Sequence, residues 1–182
     1  INKRNYNVAL RYISEKEKEL NVNDVDSFNR LFLEYSYVYG EINQLDKAEA
    51  YLQKILSNNP NRETKSVALS NITKIYVDKK NVNKAKQYLN ECISYSDTHE
   101  SEVYNDYLLA KVCILEDRPK EALQLYEGIF ANEDINPMTL GMMNDYLKLL
   151  NSLKKYNKSL LLMNKLSLFI NAADDLQIIN SF

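Results

Sequence analysis

A short alanine-centred pattern returns along this chain at a fixed interval, and it constrains the fold more tightly than any other feature. Ala48 recurs as Ala85, Ala122 and Ser159, each step being 37 residues. Its surroundings recur with it, as "DKAEAYL", "NKAKQYL", "KEALQLY" and "NKSLLLM". Leu52, Leu89, Tyr126 and Met163 stand four residues after each small residue, and Tyr39, Tyr76, Cys113 and Leu150 precede it at the same interval. One unit of this length cannot bury its own apolar face. Four copies therefore imply a stack in which each unit covers its neighbour.

The unit itself reads as a pair of helices. Phe32, Tyr35 and Tyr39 fall on one helical face, and Ala48, Leu52, Ile55 and Leu56 on another. The stretch "GEINQLD" between them supplies a turn, with Gly40 expected to end the first helix and Asp46 to open the second. The small residue lets the two helices approach closely. With only three glycines and three prolines in 182 residues, an all-α chain is the natural expectation.

These residues resemble the tetratricopeptide repeat family, whose signature runs W-x2-L-G-x2-Y, then A-x3-F, then P. The first full unit supplies Phe32, Tyr35, Ser36, Tyr39, Ala48, Leu52, Ile55 and Pro60. The second has Leu69, Ile72, Thr73, Tyr76, Ala85, Leu89 and Cys92, with Asp97 in place of the proline. The third has Asp106, Leu109, Ala110, Cys113, Ala122, Tyr126 and Ile129. The fourth, with Met143, Tyr146, Leu147, Leu150, Ser159, Met163 and Leu166, departs furthest, since Leu147 stands where the family prefers glycine. The resemblance implies a right-handed α-solenoid of stacked hairpins. Its usual period is about 34 residues, and the surplus is expected in the connections "SNNPNRETK", "SDTHES" and "NEDINP", with Asn136 capping a helix that opens at Pro137.

The array extends to both ends. "VALRYIS" aligns with "KAKQYLN", so residues 1 to about 20 read as the second helix of an earlier unit. Units at 29–65, 66–102, 103–139 and 140–176 follow, and 177–182 reads as the start of a further helix, within a single solenoid domain 1–182. The chain begins at Ile1 without a methionine, which suggests a piece of a longer protein.

Composition narrows the function. A net charge of −2 and the lack of a basic block argue against nucleic acid. No apolar run reaches the 18 or so residues of a membrane helix. Cys92 and Cys113 lack metal-ligand spacing and read as core thiols in preference to a disulfide. No nucleophile elbow, phosphate loop or dinucleotide fingerprint is present. The lone histidine, His99, reads as a solvated turn residue, and Asp174 and Asp175 as a solvated loop or cap. The chain is therefore expected to be non-catalytic, with no cofactor and no metal. Its asparagine, lysine and tyrosine content resembles proteins of low-GC bacteria, and the compartment stays open.

In the family the first helix of each unit lines a concave groove. The register then places Arg30, Leu33, Glu34, Tyr37 and Glu41 there from the first unit, and Ser70, Asn71, Lys74 and Asp78 from the second. Tyr104, Tyr107, Leu108 and Lys111 follow from the third, and Asn144, Asp145 and Lys148 from the fourth. Lys74, Lys111 and Lys148 recur at the repeat interval; they read either as a row suited to an acidic peptide or as a solvated stripe. The family's carboxylate clamp for chaperone tails is not reproduced, since Leu33 and Tyr37 hold the places of its first lysine and asparagine and only Asn71 agrees. Leu161 and Leu168 widen the apolar stripe of the last hairpin, to be covered either by a following repeat or by a partner or second copy. The resemblance thus implies a scaffold that holds a peptide or helix of a protein partner. The alternative is a sensor segment of a larger signalling or transcription-regulating protein.

Overall fold

The computed structural model describes residues 3–21, 23–132 and 136–179. Their regular structure is helical: α1 (Lys3–Glu19), α2 (Val25–Glu41), α3 (Leu45–Ser57), α4 (Arg62–Asp78), α5 (Val82–Tyr95), α6 (His99–Leu115), α7 (Pro119–Asn132), α8 (Pro137–Ser152) and α9 (Tyr156–Ile179). The chain forms two compact units, 1–116 and 117–182. The sequence offered no such boundary. It falls at a repeat joint, beside the left-handed residue Asp117.

That joint shows how the hairpins are made. Asn43, Lys80, Asp117 and Lys154 all have φ between 55° and 59°, and they are spaced by the same interval as the alanines. At Asn43 the flanking amides close the helix end: Asn43 N–H donates to the Gly40 carbonyl (2.9 Å) and Gln44 N–H to the Tyr39 carbonyl (2.8 Å). The same pair of bonds recurs at Lys80 and at Lys154. This is the Schellman arrangement, built here without glycine. Gly40 does not end the helix as expected. It lies inside α2 with ordinary φ, one turn before the residue that reverses the chain.

The other end of each first helix is capped by a polar side chain. Asp24, Asn61, Thr98 and Asn136 accept the free amides of α2, α4, α6 and α8, and Pro137 takes the first-turn position of α8. His99 accordingly opens α6 instead of lying in a turn. In the unit 1–116, α2, α4 and α6 each have 17 residues, while the turns and connections after α2 to α5 have three or four. The connections of this unit, where the sequence led one to expect extra length, are therefore short.

Burial follows the repeat. Ala48, Ala85 and Ala122 are fully buried, and so are Leu52, Leu89 and Tyr126. Each such leucine contributes about 1.5–3 kcal/mol relative to exposure. In the unit 1–116, α2 packs on α1 and α3, and α4 on α3, α5 and α6. The N-terminal core gathers Ile13, Leu31, Tyr35 and Val38, with Tyr35 and Tyr51 stacked at 4.4 Å. The Tyr35 hydroxyl donates to Glu17 Oε2 (2.9 Å), and burial, then this carboxylate, pushes its phenol up to about 12. In the unit 117–182, α8 packs on α7 and α9, and Tyr146 stacks between Tyr126 (5.2 Å) and Phe130 (5.3 Å).

Helix α9 continues unbroken through Asp174 and Asp175, where the sequence suggested a loop or cap. The run Asn171 to Leu176 contains neither glycine nor proline and includes two alanines, so nothing in it terminates a helix. Residues 177–179 extend α9 without opening a further helix, and 180–182 lie outside the described residues. Cys92 and Cys113 are buried thiols, not joined as a disulfide.

Candidate functional site

The first helices of the unit 1–116 carry three clefts that share residues. One, of about 480 Å³, lies against α1, α2 and α4 and is lined by Tyr12, Ile13, Leu33, Glu34, Tyr37, Val67 and Asn71, among others. A smaller one, of about 200 Å³, is bounded by Tyr37, Glu41, Asn71, Lys74 and Tyr104. The third, of about 480 Å³, opens between α4 and α6 over Glu63, Ser66, Val67, Ser70, Asn71, Cys92, Asp97, Glu100, Tyr104 and Asn105. Asn71 borders all three, and Tyr37, Val67 and Tyr104 border two each. Together they form one groove across α2, α4 and α6.

Spacing along α4 makes this convergence. Val67, Asn71 and Lys74 lie at helical intervals of four and three, so they form one stripe facing the groove, while Leu69, Ile72 and Tyr76 turn into the core. Tyr37 stands 66% exposed on α2. Tyr104 leans on Tyr107, with ring centroids 5.7 Å apart, and burial, then the Asp78 charge, pushes its phenol up to about 12. It presents a neutral hydroxyl at any physiological pH.

The floor of the third cleft is a polar knot. Cys92 Sγ lies 3.4 Å from the Ser66 carbonyl and 3.3 Å from Asn105 Oδ1, and Asn105 Nδ2 donates to Ser96 Oγ (2.6 Å). Burial pushes the Cys92 thiol up, with the Ser66 and Ser96 hydrogen bonds working the other way. The sulfur is therefore a neutral structural group, not a nucleophile. Among the described residues no set of three or more His, Cys, Asp or Glu gathers to hold a metal ion.

Of the residues that the sequence register placed in the groove, Leu33, Glu34, Tyr37, Glu41, Ser70, Asn71, Lys74 and Tyr104 line its clefts. Arg30 is exposed on α2 outside the clefts. Tyr107 is only 7% exposed and Leu108 is fully buried, so both belong to the core of the unit 1–116 rather than to a binding surface. Lys111 sits over Tyr107, its nitrogen 3.3 Å from the hydroxyl. Lys74 pairs with Asp78 (3.3 Å). In the unit 117–182, Asn144 is exposed and Lys148 pairs with Asp145 (3.1 Å).

The register missed Glu63, Asp97 and Glu100. They come from the connections and first turns that lead into α4 and α6, stretches whose turn-forming composition drew attention from their charge. It also missed Tyr12 and Ile13, which α1 brings to the groove.

In the unit 117–182, Leu161 and Leu168 are 69% and 71% exposed on α9. Met163 is 53% exposed at the position where Leu52, Leu89 and Tyr126 are fully buried. Leu161 also borders a shallow cleft with Phe130, Tyr146 and Leu162.

Paired helices closed by a common joint define a helical-hairpin repeat protein. The hairpins at 30–62 and 68–99 are tetratricopeptide repeats: the profile described as tetratricopeptide repeat matches both. No curated protein sequence matches the chain. Two crystal structures from Podosopora anserina, each described as putative kinesin light chain nearly identical TPR-like repeats and one of them a single-substitution form, resemble it with TM-scores of 0.58 and 0.55. Each is 14% identical, and the alignments cover 93% and 92% of this chain and 87% and 86% of those chains. At that identity the likeness is one of fold. The repeats mark a protein–protein interaction scaffold, and no helix among the described residues is long and apolar enough to cross a membrane.

Proposed function

We propose that this protein is a non-catalytic scaffold that holds an extended segment of a protein partner in the groove across α2, α4 and α6. The observation that carries the reading is the meeting of three clefts at Asn71, bordered by the exposed ring of Tyr37 and the neutral phenol of Tyr104. Tyrosine and asparagine suit this role, because a phenol offers apolar area with few rotors to freeze and an amide can both donate to and accept from a peptide backbone.

The test is selection of peptides from a random-peptide phage library on the wild-type protein, followed by a binding comparison with Asn71→Trp. An indole at position 71 obstructs the point where the three clefts meet. Loss of most selected peptides by a variant that keeps its melting temperature is the expected result. Undiminished binding to Asn71→Trp would move the binding surface away from the groove.

A second reading rests on α9. Leu160, Leu161, Met163, Leu168 and Ile170 are all exposed on this one helix, more apolar surface than a hairpin needs to pack against its own unit. Leu161 and Leu168, seven residues apart, lie on one stripe of that surface, and this stripe is suited to self-association.

A further inference from the structure

The repeated lysines pointed to an acidic partner, yet the groove they were meant to serve carries the opposite sign. Its clefts are lined by five carboxylates, Glu34, Glu41, Glu63, Asp97 and Glu100, and by one ammonium, Lys74. Lys74 is already held by Asp78 at 3.3 Å. Asp97 is partly offset by the Arg62 guanidinium at 3.4 Å, and Glu41 accepts from the Tyr6 hydroxyl at 3.3 Å. Glu63 and Glu100 are exposed at the starts of α4 and α6, and neither has an ion-pair partner among the described residues.

The acidic groups are not spread evenly. The cleft between α4 and α6 holds Glu63, Asp97 and Glu100 at its mouth, above hydroxyls of Ser66, Ser70 and Ser101. The cleft against α1 and α2 is predominantly apolar, with Tyr12, Ile13, Leu33, Tyr37 and Val67. Val67 and Asn71, one turn apart on α4, form the ridge between the two.

We infer that the occupant is a linear protein segment carrying an apolar side chain and a lysine or arginine, the first seated against α1 and α2 and the second between α4 and α6. This rests on the groove reading above and gives it a chemistry. Neighbouring helices lie about 8–10 Å apart, an extended chain advances about 3.3 Å per residue, and alternate residues share a face, so the two side chains sit roughly two or four positions apart. A cation among Glu63, Asp97 and Glu100 gains from complementary charge, whereas an acidic segment would meet like charge there.

The same phage selection separates this inference from the reading it rests on. Among peptides whose binding is lost in Asn71→Trp, lysine and arginine should be enriched over the unselected library, near an apolar residue. A fluorescein-labelled selected peptide should bind Glu63→Lys/Glu100→Lys about tenfold or more weakly by anisotropy. A fresh selection on that double variant should return acidic peptides. Both substitutions lie on exposed first-turn positions, and an unchanged melting temperature excludes misfolding. Groove-dependent peptides without basic enrichment, or with acidic enrichment, would overturn the cationic occupant and leave the groove reading standing. A selection that yields no groove-dependent peptide would overturn both.

Discussion

A lysine holds a left-handed backbone conformation at position 80, and asparagine holds the same conformation at position 43. The two are not equivalent. A residue with a Cβ costs about 1–2 kcal/mol there, and asparagine is one of the few side chains that visits the region readily. Glycine removes that cost but loses about 0.5–1 kcal/mol of its own through a freer unfolded chain. Lys80→Gly should therefore stabilise the protein, by up to about 1 kcal/mol, and Asn43→Gly should change little. Urea midpoints of the two variants decide it, and an equal shift in both would show that the joint is not strained by lysine. This position was not legible in the sequence. Gly40 was the conspicuous residue, but the hairpin places its reversal three residues later, and the side chains standing there (asparagine, lysine, aspartate, lysine) share no chemistry that a pattern could find. The small residues at 48, 85 and 122 were legible because burial imposes one size on all three.

Between elements, apolar spacing foretold which faces of the hairpins pack, and polar ties complete the packing. Lys79, just beyond α4, reaches back to α3 and meets Asp46 and Glu49, each at 2.7 Å. Tyr76 donates to Glu49 from the same side, and Lys84 donates to the Tyr76 hydroxyl at 3.0 Å. The Lys79 ammonium holds the Asp46 carboxyl below its usual range. Burial works against the Glu49 charge, but Lys79 and Tyr76 outweigh it, and this carboxyl also is held low. Two depressed carboxyl pKa values add stability that is present above the unfolded value and lost as pH falls through the folded one. The melting temperature should thus fall as pH drops from about 6 to about 3, and Lys79→Met should flatten that fall. A scan with the same slope in both proteins would remove this network from the acid response. No sequence pattern marked the tie, because its partners lie about thirty residues apart and meet only once α3 and α4 have packed.

For the whole molecule, the fold was legible and the sign of its groove was not. Tyr37, Asn71, Lys74 and Tyr104, which the repeat register grouped on the first-helix faces, border one cleft. The register counted helix faces alone, so the carboxylates arriving from the starts of α4 and α6 escaped it. The exposed face of α9 was foreseen at Leu161 and Leu168, whose spacing of seven keeps them on one stripe. If that face pairs copies of the chain, light scattering should find a dimer for the wild type and a monomer for Leu161→Lys/Leu168→Lys; a monomeric wild type, or a dimer that survives both charges, would remove the idea. The non-glycine joints bear on something else, the way such a chain can grow. Residues 43 and 80 open successive segments in the same backbone conformation, so a duplicated cassette of residues 43–79 would meet the chain at both seams through a joint it already uses. Lengthening by gene-level duplication requires no new turn to be invented, only another copy of an existing one.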